Sequence, residues 1–126
     1  MRLLLDTHVL IDLVNEELDS NLEGQFADAR TFLHVSVASL WEMAIKVRLG
    51  KLALRVPLDS LPELINATRM TLIEIKASHA LAVADPRPET RDPFDRLLLA
   101  QCMIEGLQLA TDDRALIAHP LAWKRA

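Results

Sequence analysis

The chain has 126 residues, of which 51% are hydrophobic and 25% are charged. This composition is typical of a folded domain and excludes a mainly disordered chain, and the length predicts a single domain over residues 1–126. The net charge of −4 argues against nucleic-acid binding through bulk charge, although bound divalent cations would reverse the sign locally. Aromatic residues make up only 4% of the chain, so base stacking on exposed aromatic side chains is not expected.

Neither cysteine pairing nor a secretion signal is expected. The single cysteine, Cys102, cannot form an internal disulfide, and the four scattered histidines lack the spacing of zinc ligands. The apolar run at 3–5 ends at Asp6, which makes it too short for a signal peptide or a membrane span. We therefore expect a cytoplasmic protein without membrane association.

Short apolar runs alternate with longer helical patterns along the chain. In chain order they predict a strand at 3–5, helices at 7–14 and 19–30, a strand at 33–36, helices at 38–49 and 58–70, a strand at 72–75, helices at 78–83 and 92–105, a strand at 107–110, a short helix at 113–118 and a short strand at 121–123. Gly50 and Gly106 end two of the helices. The helix at 92–105 is apolar nearly all round, so we expect it to be buried centrally.

Strands that alternate with helices predict an α/β fold with a mostly parallel sheet. In such sheets the functional crevice lies at the carboxyl ends of the strands. Acidic residues follow the strands or open the next helix at Asp6, Glu42, Asp92, Asp95 and Asp113. Crowded carboxylates repel one another unless cations neutralise them, and their hard oxygen atoms suit Mg²⁺ or Mn²⁺.

Each acidic position also has an ordinary structural explanation. Glu42 completes a capping box with Ser39 at the start of its helix. Asp92 precedes Pro93 as an N-cap precedes the first helical position. Asp6 and the segment 111–113 can cap the helices that follow them. Capping and metal binding are compatible, because a cap can hold a ligand rigidly.

Five sequence blocks together resemble PIN-domain proteins, and the closest likeness is to the VapC-like toxins of bacterial type II toxin–antitoxin systems. The blocks are LLLDTH at 3–8, SVASLWE at 36–42, KVRLGKL at 46–52, RDPFDRLLLAQ at 91–101 and TDD at 111–113. The likeness runs from residue 2 to about residue 117. It implies a three-layer α/β/α sandwich, and an endoribonuclease that depends on Mg²⁺ or Mn²⁺. It also implies a homodimer that a cognate antitoxin holds inactive.

The resemblance assigns roles to individual residues. The family's four metal-binding acids match Asp6, Glu42, Asp95 and Asp113. Supporting polar positions match Thr7, Thr111 and Asp92, the last as a helix cap first and an outer ligand second. Asp112 occupies a variable position and is expected to face solvent, and Thr90 stands where relatives often carry histidine.

These residues predict metal-assisted hydrolysis of RNA. As the mechanism of the family that the sequence resembles implies, a metal-bound hydroxide would attack the phosphorus in line and leave a 3′-hydroxyl and a 5′-phosphate. The RNA backbone would be held by Lys46, Arg91 and Arg96.

Two other functions are alternatives to this one. The first is a non-catalytic PIN-fold module that binds protein or RNA, against which the presence of all four acids argues. The second is a signalling receiver domain, which needs an acidic pair after the first strand, where this chain has Asp6 followed by Thr7.

Overall fold

A computed structural model describes residues 1–125 of the chain. Four parallel strands form one sheet in the order β3-β2-β1-β4. The strands are β1 (Arg2–Leu5), β2 (Phe32–Ser36), β3 (Thr71–Ile73) and β4 (Gln108–Ala110). Each connection between parallel neighbours crosses over through helices, as a parallel sheet requires.

Strand β1 lies inside the sheet and explains why the fold has three layers. Leu3, Leu4 and Leu5 are all fully buried, but successive side chains of a strand point to opposite faces. Leu3 and Leu5 belong to one hydrophobic cluster, whereas Leu4 belongs to the other. The continuous apolar run is therefore that of a parallel strand covered on both faces, and the predicted α/β/α sandwich is confirmed.

Six helices cover the two faces of the sheet in the described part of the chain. They are α1 (Thr7–Val14), α2 (Ser20–Ala27), α3 (Val37–Arg48), α4 (Leu61–Ala67), α5 (Ala77–Leu81) and α6 (Pro93–Glu105). Residues of α1, α2 and α4 pack in the cluster of Leu3, and residues of α6 pack in the cluster of Leu4. In residues 1–125, no helix is both long enough and apolar enough to span a membrane.

The sequence predictions were wrong in several details. The helix expected at 58–70 is a 3-10 turn (Leu58–Ser60) followed by α4, whose first turn holds Pro62. The helix expected at 113–118 is a series of turns, in which the N–H groups of Leu116 and Ile117 both donate to the Asp113 carbonyl. Pro120 lies just beyond it, and the chain reverses there to bring Ala122 beside β4. Only a single parallel bridge, from Ala122 to Leu109, forms at 121–123.

Helix α6 is less central than its composition predicts. Leu98, Leu99 and Cys102 are buried against the sheet, but Met103 and Ile104 are exposed. Only one face of the helix can contact the sheet, so the apolar residues on the opposite face lie in solvent.

The buried position of β1 predicts a large stability cost for shortening its side chains. Replacing Leu4 by Ala leaves a cavity beneath α6 and should lower the free energy of unfolding by about 2–5 kcal/mol. The matched change Leu81→Ala removes a side chain that is 85% exposed and should cost less than about 0.5 kcal/mol. Urea unfolding followed by circular dichroism measures both values. Equal values for the two variants would contradict the assigned core.

Candidate active site

Asp6 connects β1 to the loop that follows β4. Its backbone N–H donates to the Ala110 carbonyl at 2.9 Å, and its Oδ1 accepts the Thr7 N–H at 2.8 Å, which caps α1. Its Oδ2 accepts the Thr111 hydroxyl at 2.6 Å. The side chain is 2% exposed, and this burial raises the pKa of Asp6 although both hydrogen bonds lower it.

Thr111 also orders the acidic residue that follows it in the loop. Its hydroxyl oxygen accepts the Asp113 N–H at 3.0 Å while its proton goes to Asp6. Asp113 in turn accepts the Ala115 N–H at 2.8 Å. Asp112 forms an ion pair with Arg125 at 3.0 Å, and 59% of its side chain is exposed. The expectation that Asp112 faces solvent is therefore confirmed.

The start of α6 holds two acids in different roles. Asp92 is the N-cap, because its Oδ1 accepts the N–H groups of Phe94 at 2.8 Å and Asp95 at 3.3 Å. The Thr90 hydroxyl oxygen accepts the Asp92 N–H at 3.2 Å, and its proton points to Asp95 Oδ2 at 3.4 Å. Asp92 is confirmed as a cap, and Asp95 on the first turn projects a carboxylate that is not part of the cap.

Asp95 shows most directly that the acids share one region. Burial raises the pKa of Asp95 to about 7, with further contributions from the charges of Asp92, Asp6, Asp113 and Glu42. These residues come from four distant stretches of sequence. Their charges can act on Asp95 only if the fold brings them to the same edge of the sheet.

Glu42 reaches this edge from the second turn of α3. The predicted capping box with Ser39 is wrong, because α3 begins at Val37 with Ser36 as its N-cap, which accepts the Ala38 N–H at 3.0 Å. Glu42 is only 8% exposed, and its Oε2 forms an ion pair with Lys46 Nζ at 2.8 Å. Lys46 was predicted to contact RNA, but here it neutralises a predicted metal ligand.

No role in the site was predicted for three further polar residues, which are Ser39, His8 and Asp12. The Thr7 hydroxyl donates to Ser39 Oγ at 2.9 Å, and both side chains are buried, which joins α1 to α3 directly behind Asp6. His8 and Asp12 line a cavity of about 280 Å³ together with Asp113. Their spacing of four residues on the helix after Asp6 was a signal in the sequence, whereas nothing in the sequence indicated the Ser39 contact.

The predicted basic residues differ in their contacts. Arg96 is half-buried, and its Nε donates to the Thr90 carbonyl at 2.7 Å, which fastens the loop before α6. Arg91 is exposed directly before the helix cap. Of the two, Arg91 therefore has the position better suited to a ligand in solution.

The predicted metal ligands are of the type that binds a hard divalent cation, but their side chains do not converge on a common point in this structure. Within residues 1–125, no three side chains of Asp, Glu, His or Cys lie close enough together to hold a metal ion. Hydrogen bonds turn the Asp6 oxygens toward Thr7 and Thr111, and Lys46 holds Glu42. The donors are nevertheless all carboxylates, as Mg²⁺ and Mn²⁺ prefer. Burial raises the pKa of Asp95, and the neighbouring negative charges, which a cation would offset, raise it further.

The raised pKa of Asp95 predicts that stability falls with rising pH when metal is absent. The folded protein keeps a proton on this carboxyl that the unfolded chain releases above 3.8, so stability is lost as the pH rises from 3.8 to about 7. Asp95→Asn cannot ionise there. In EDTA it should be more stable than the parent at pH 8 by roughly 1–3 kcal/mol, after allowance for solvent screening, and by less at pH 5.

Thermal unfolding of both proteins at the two pH values measures this difference. The matched variant Asp28→Asn changes an exposed acid whose pKa is lowered to about 2, so it should not gain stability at pH 8. Equal stability of Asp95→Asn and the parent at both pH values would show that burial and neighbouring charges do not raise the pKa of Asp95.

Comparisons with known proteins agree with this architecture. The family model of the PIN domain matches residues 3–120. A toxin–antitoxin complex from Klebsiella pneumoniae contains a chain of similar fold, with a TM-score of 0.67 and 16% identity over 98% of this chain and 97% of that one. VapBC2 from Rickettsia felis, solved bound to a DNA fragment from its promoter, gives a TM-score of 0.61 and 17% identity over 97% and 96%. No curated protein matches the sequence significantly. Since the family model covers nearly the whole chain, the protein belongs to the PIN domain family.

Proposed function

We propose that this PIN domain is an endoribonuclease that depends on Mg²⁺ or Mn²⁺ and acts as the VapC-like toxin of a type II toxin–antitoxin system. One observation carries the proposal. The charges of Asp6, Glu42 and Asp113, which lie on separate elements, all contribute to raising the pKa of Asp95, and this supports a shared acidic site at one edge of the sheet. Such crowding is costly without a cation.

In the proposed mechanism the four acids bind the metal, and neighbouring polar residues hold some of these acids in place. Asp6, Glu42, Asp95 and Asp113 would hold the metal, directly or through water. A bound divalent ion would polarise the phosphodiester and lower the pKa of an attacking water. Thr111 fixes the orientation of Asp6 and the backbone of Asp113 at once. Ser39 fixes Thr7, whose N–H binds the other oxygen of Asp6.

The RNA backbone would approach along the positive side chains at this edge. Arg91 is exposed beside the N-cap of α6, and Arg96 holds the adjoining loop by its Nε atom. Lys46 would turn from Glu42 to a phosphate once a cation neutralises that carboxylate. Because these contacts are electrostatic, we expect binding to weaken with salt.

The toxin assignment rests on similarity of the whole chain. The two similar structures named above are a toxin–antitoxin complex and VapBC2, and each alignment spans at least 97% of this chain. We therefore propose a cognate antitoxin as the partner of this protein, and a homodimer as its free form, in accordance with the resemblance of its sequence to VapC-like toxins.

Replacing Asp6 by Asn tests the proposed chemistry. The substitution removes a charge and leaves the shape of the side chain, so the protein should fold while cleavage of single-stranded RNA in Mg²⁺ falls by roughly a thousandfold. Asp28→Asn, at an exposed acid that pairs with Arg30, should cleave like the parent. Gel analysis of labelled RNA in Mg²⁺, in Mn²⁺ and in EDTA gives the rates, and circular dichroism confirms folding.

Two outcomes would contradict the proposal. Cleavage by Asp6→Asn at the parental rate would remove Asp6 from the site. Absence of cleavage by the parent in both metals, over several RNAs, would favour the non-catalytic binding module.

A further inference from the structure

We propose that Trp41 is a stacking platform for a nucleobase of the RNA, next to the phosphate that is cleaved. The inference rests on the proposed nuclease function and deepens it, since it names a residue that binds the substrate beside the acids. Such a platform was not expected from the low aromatic content of the chain.

Trp41 lies on α3, in the same helical turn as Glu42. It precedes Glu42 on α3, yet the two neighbours differ sharply in environment: the indole is 61% exposed, whereas Glu42 is buried. The Trp41 ring meets the ring of Phe94, with centroids 5.6 Å apart and planes inclined by 70°. Phe94 immediately precedes Asp95. Each aromatic residue of this pair therefore comes one position before a predicted metal ligand.

The contact with Phe94 orients the indole without covering it. Edge-to-face pairs are favourable aromatic arrangements, so the ring has a preferred plane, and more than half of its surface still faces solvent. The second tryptophan behaves differently: Trp123 is half-buried, with its ring 6.1 Å from that of Phe26 at the edge of the core. Packing explains Trp123 but leaves the exposure of Trp41 unexplained.

A nucleobase is the occupant that suits this position. When a phosphate of single-stranded RNA lies at the acids, the adjoining bases are unstacked and available to aromatic side chains. Stacking is tolerant of sequence, and it adds affinity that does not depend on charge. That property matters here because the chain carries a net charge of −4 and repels the RNA at long range.

A second copy of the chain is the competing occupant. Trp41 and Ile45 share one side of α3, and the C-cap Leu49 follows them at the same spacing; Trp41 and Leu49 are well exposed. A dimer formed through this side would bury the indole against protein. The molecular mass of the parent and of Trp41→Ala in solution therefore distinguishes the two occupants.

Fluorescence tests the proposal without the need for cleavage. The chain has two tryptophans, so Trp123→Phe leaves Trp41 as the only indole. With Asp6→Asn added to suppress cleavage, titration in Mg²⁺ with an oligonucleotide of single-stranded RNA of mixed sequence should quench its emission in a saturable manner. An oligonucleotide of the same length with abasic sites should bind more weakly and quench less. If Trp123→Phe unfolds, the parent and Trp41→Phe give the same information as a difference in quenching.

Affinity and turnover complete the test. Trp41→Ala should raise the Kd for RNA about 10-fold to 100-fold, and Trp41→Phe should restore most of the loss. In Mg²⁺ the alanine variant should raise KM more than it lowers kcat. Leu81→Ala, at an exposed apolar residue of α5, should leave Kd unchanged. Light scattering should give the same mass for the parent and Trp41→Ala.

The outcomes separate this proposal from the one on which it rests. If the parent cleaves RNA and Trp41→Ala binds and cleaves equally well, the stacking platform is wrong and the nuclease stands. A change in mass on Trp41→Ala would assign the indole to a contact between copies and overturn the platform. If the parent neither binds nor cleaves RNA, both proposals fail together.

Discussion

The gathering of carboxylates at one edge of the sheet is the feature on which the proposed chemistry of this protein depends. A parallel sheet brings the carboxyl ends of its strands to the same side, and the chain places acids there after β1, within α3, at the start of α6 and after β4. The pKa of Asp95 is raised to about 7 by burial and by the charges of the other acids. Crowded charges of this kind are costly unless a cation or another partner compensates for them.

Hydrogen bonds keep the acids at this edge despite their repulsion. Thr111 links Asp6 to the loop of Asp113, and the Thr7–Ser39 contact ties α1 to α3. Lys46 neutralises Glu42 in the absence of a cation. These contacts also explain why the carboxylates do not converge on one point as they stand: each is held by its own neighbours, and a bound cation would have to compete with them.

The sequence predicted the features that depend on short-range patterns. The run of Leu3, Leu4 and Leu5 predicted a strand covered on both faces, and Asp92 before Pro93 predicted the start of α6. The sequence-based prediction was wrong where tertiary contacts determine the local structure. Ser39 has the spacing of a cap for Glu42, but its hydroxyl is used by Thr7, and the helix starts at Val37 instead. The turns at 113–118 replaced a predicted helix because the chain must return to pair Ala122 with β4.

The candidate site was predicted only in part, for a similar reason. Acidic residues that follow parallel strands lie at the same edge of the sheet. The α/β pattern and the resemblance to PIN domains therefore predict that these residues lie near one another. The residues that hydrogen-bond to these acids, such as Thr90 beside Asp95, come from loops. Hydrophobic periodicity in the sequence does not predict the course of a loop. The exposure of Trp41 beside its buried neighbour Glu42 likewise emerges only when α3 packs against α6.

Calorimetric titration of Mn²⁺ into the purified protein at pH 8 tests the central claim most directly, because it measures cation binding without reference to any substrate. The parent and Asp28→Asn should bind Mn²⁺ in a saturable manner, and Asp95→Asn should bind it at least about 10-fold more weakly. A parent that takes up no Mn²⁺, or an Asp95→Asn variant that binds it as tightly as the parent, would contradict the account.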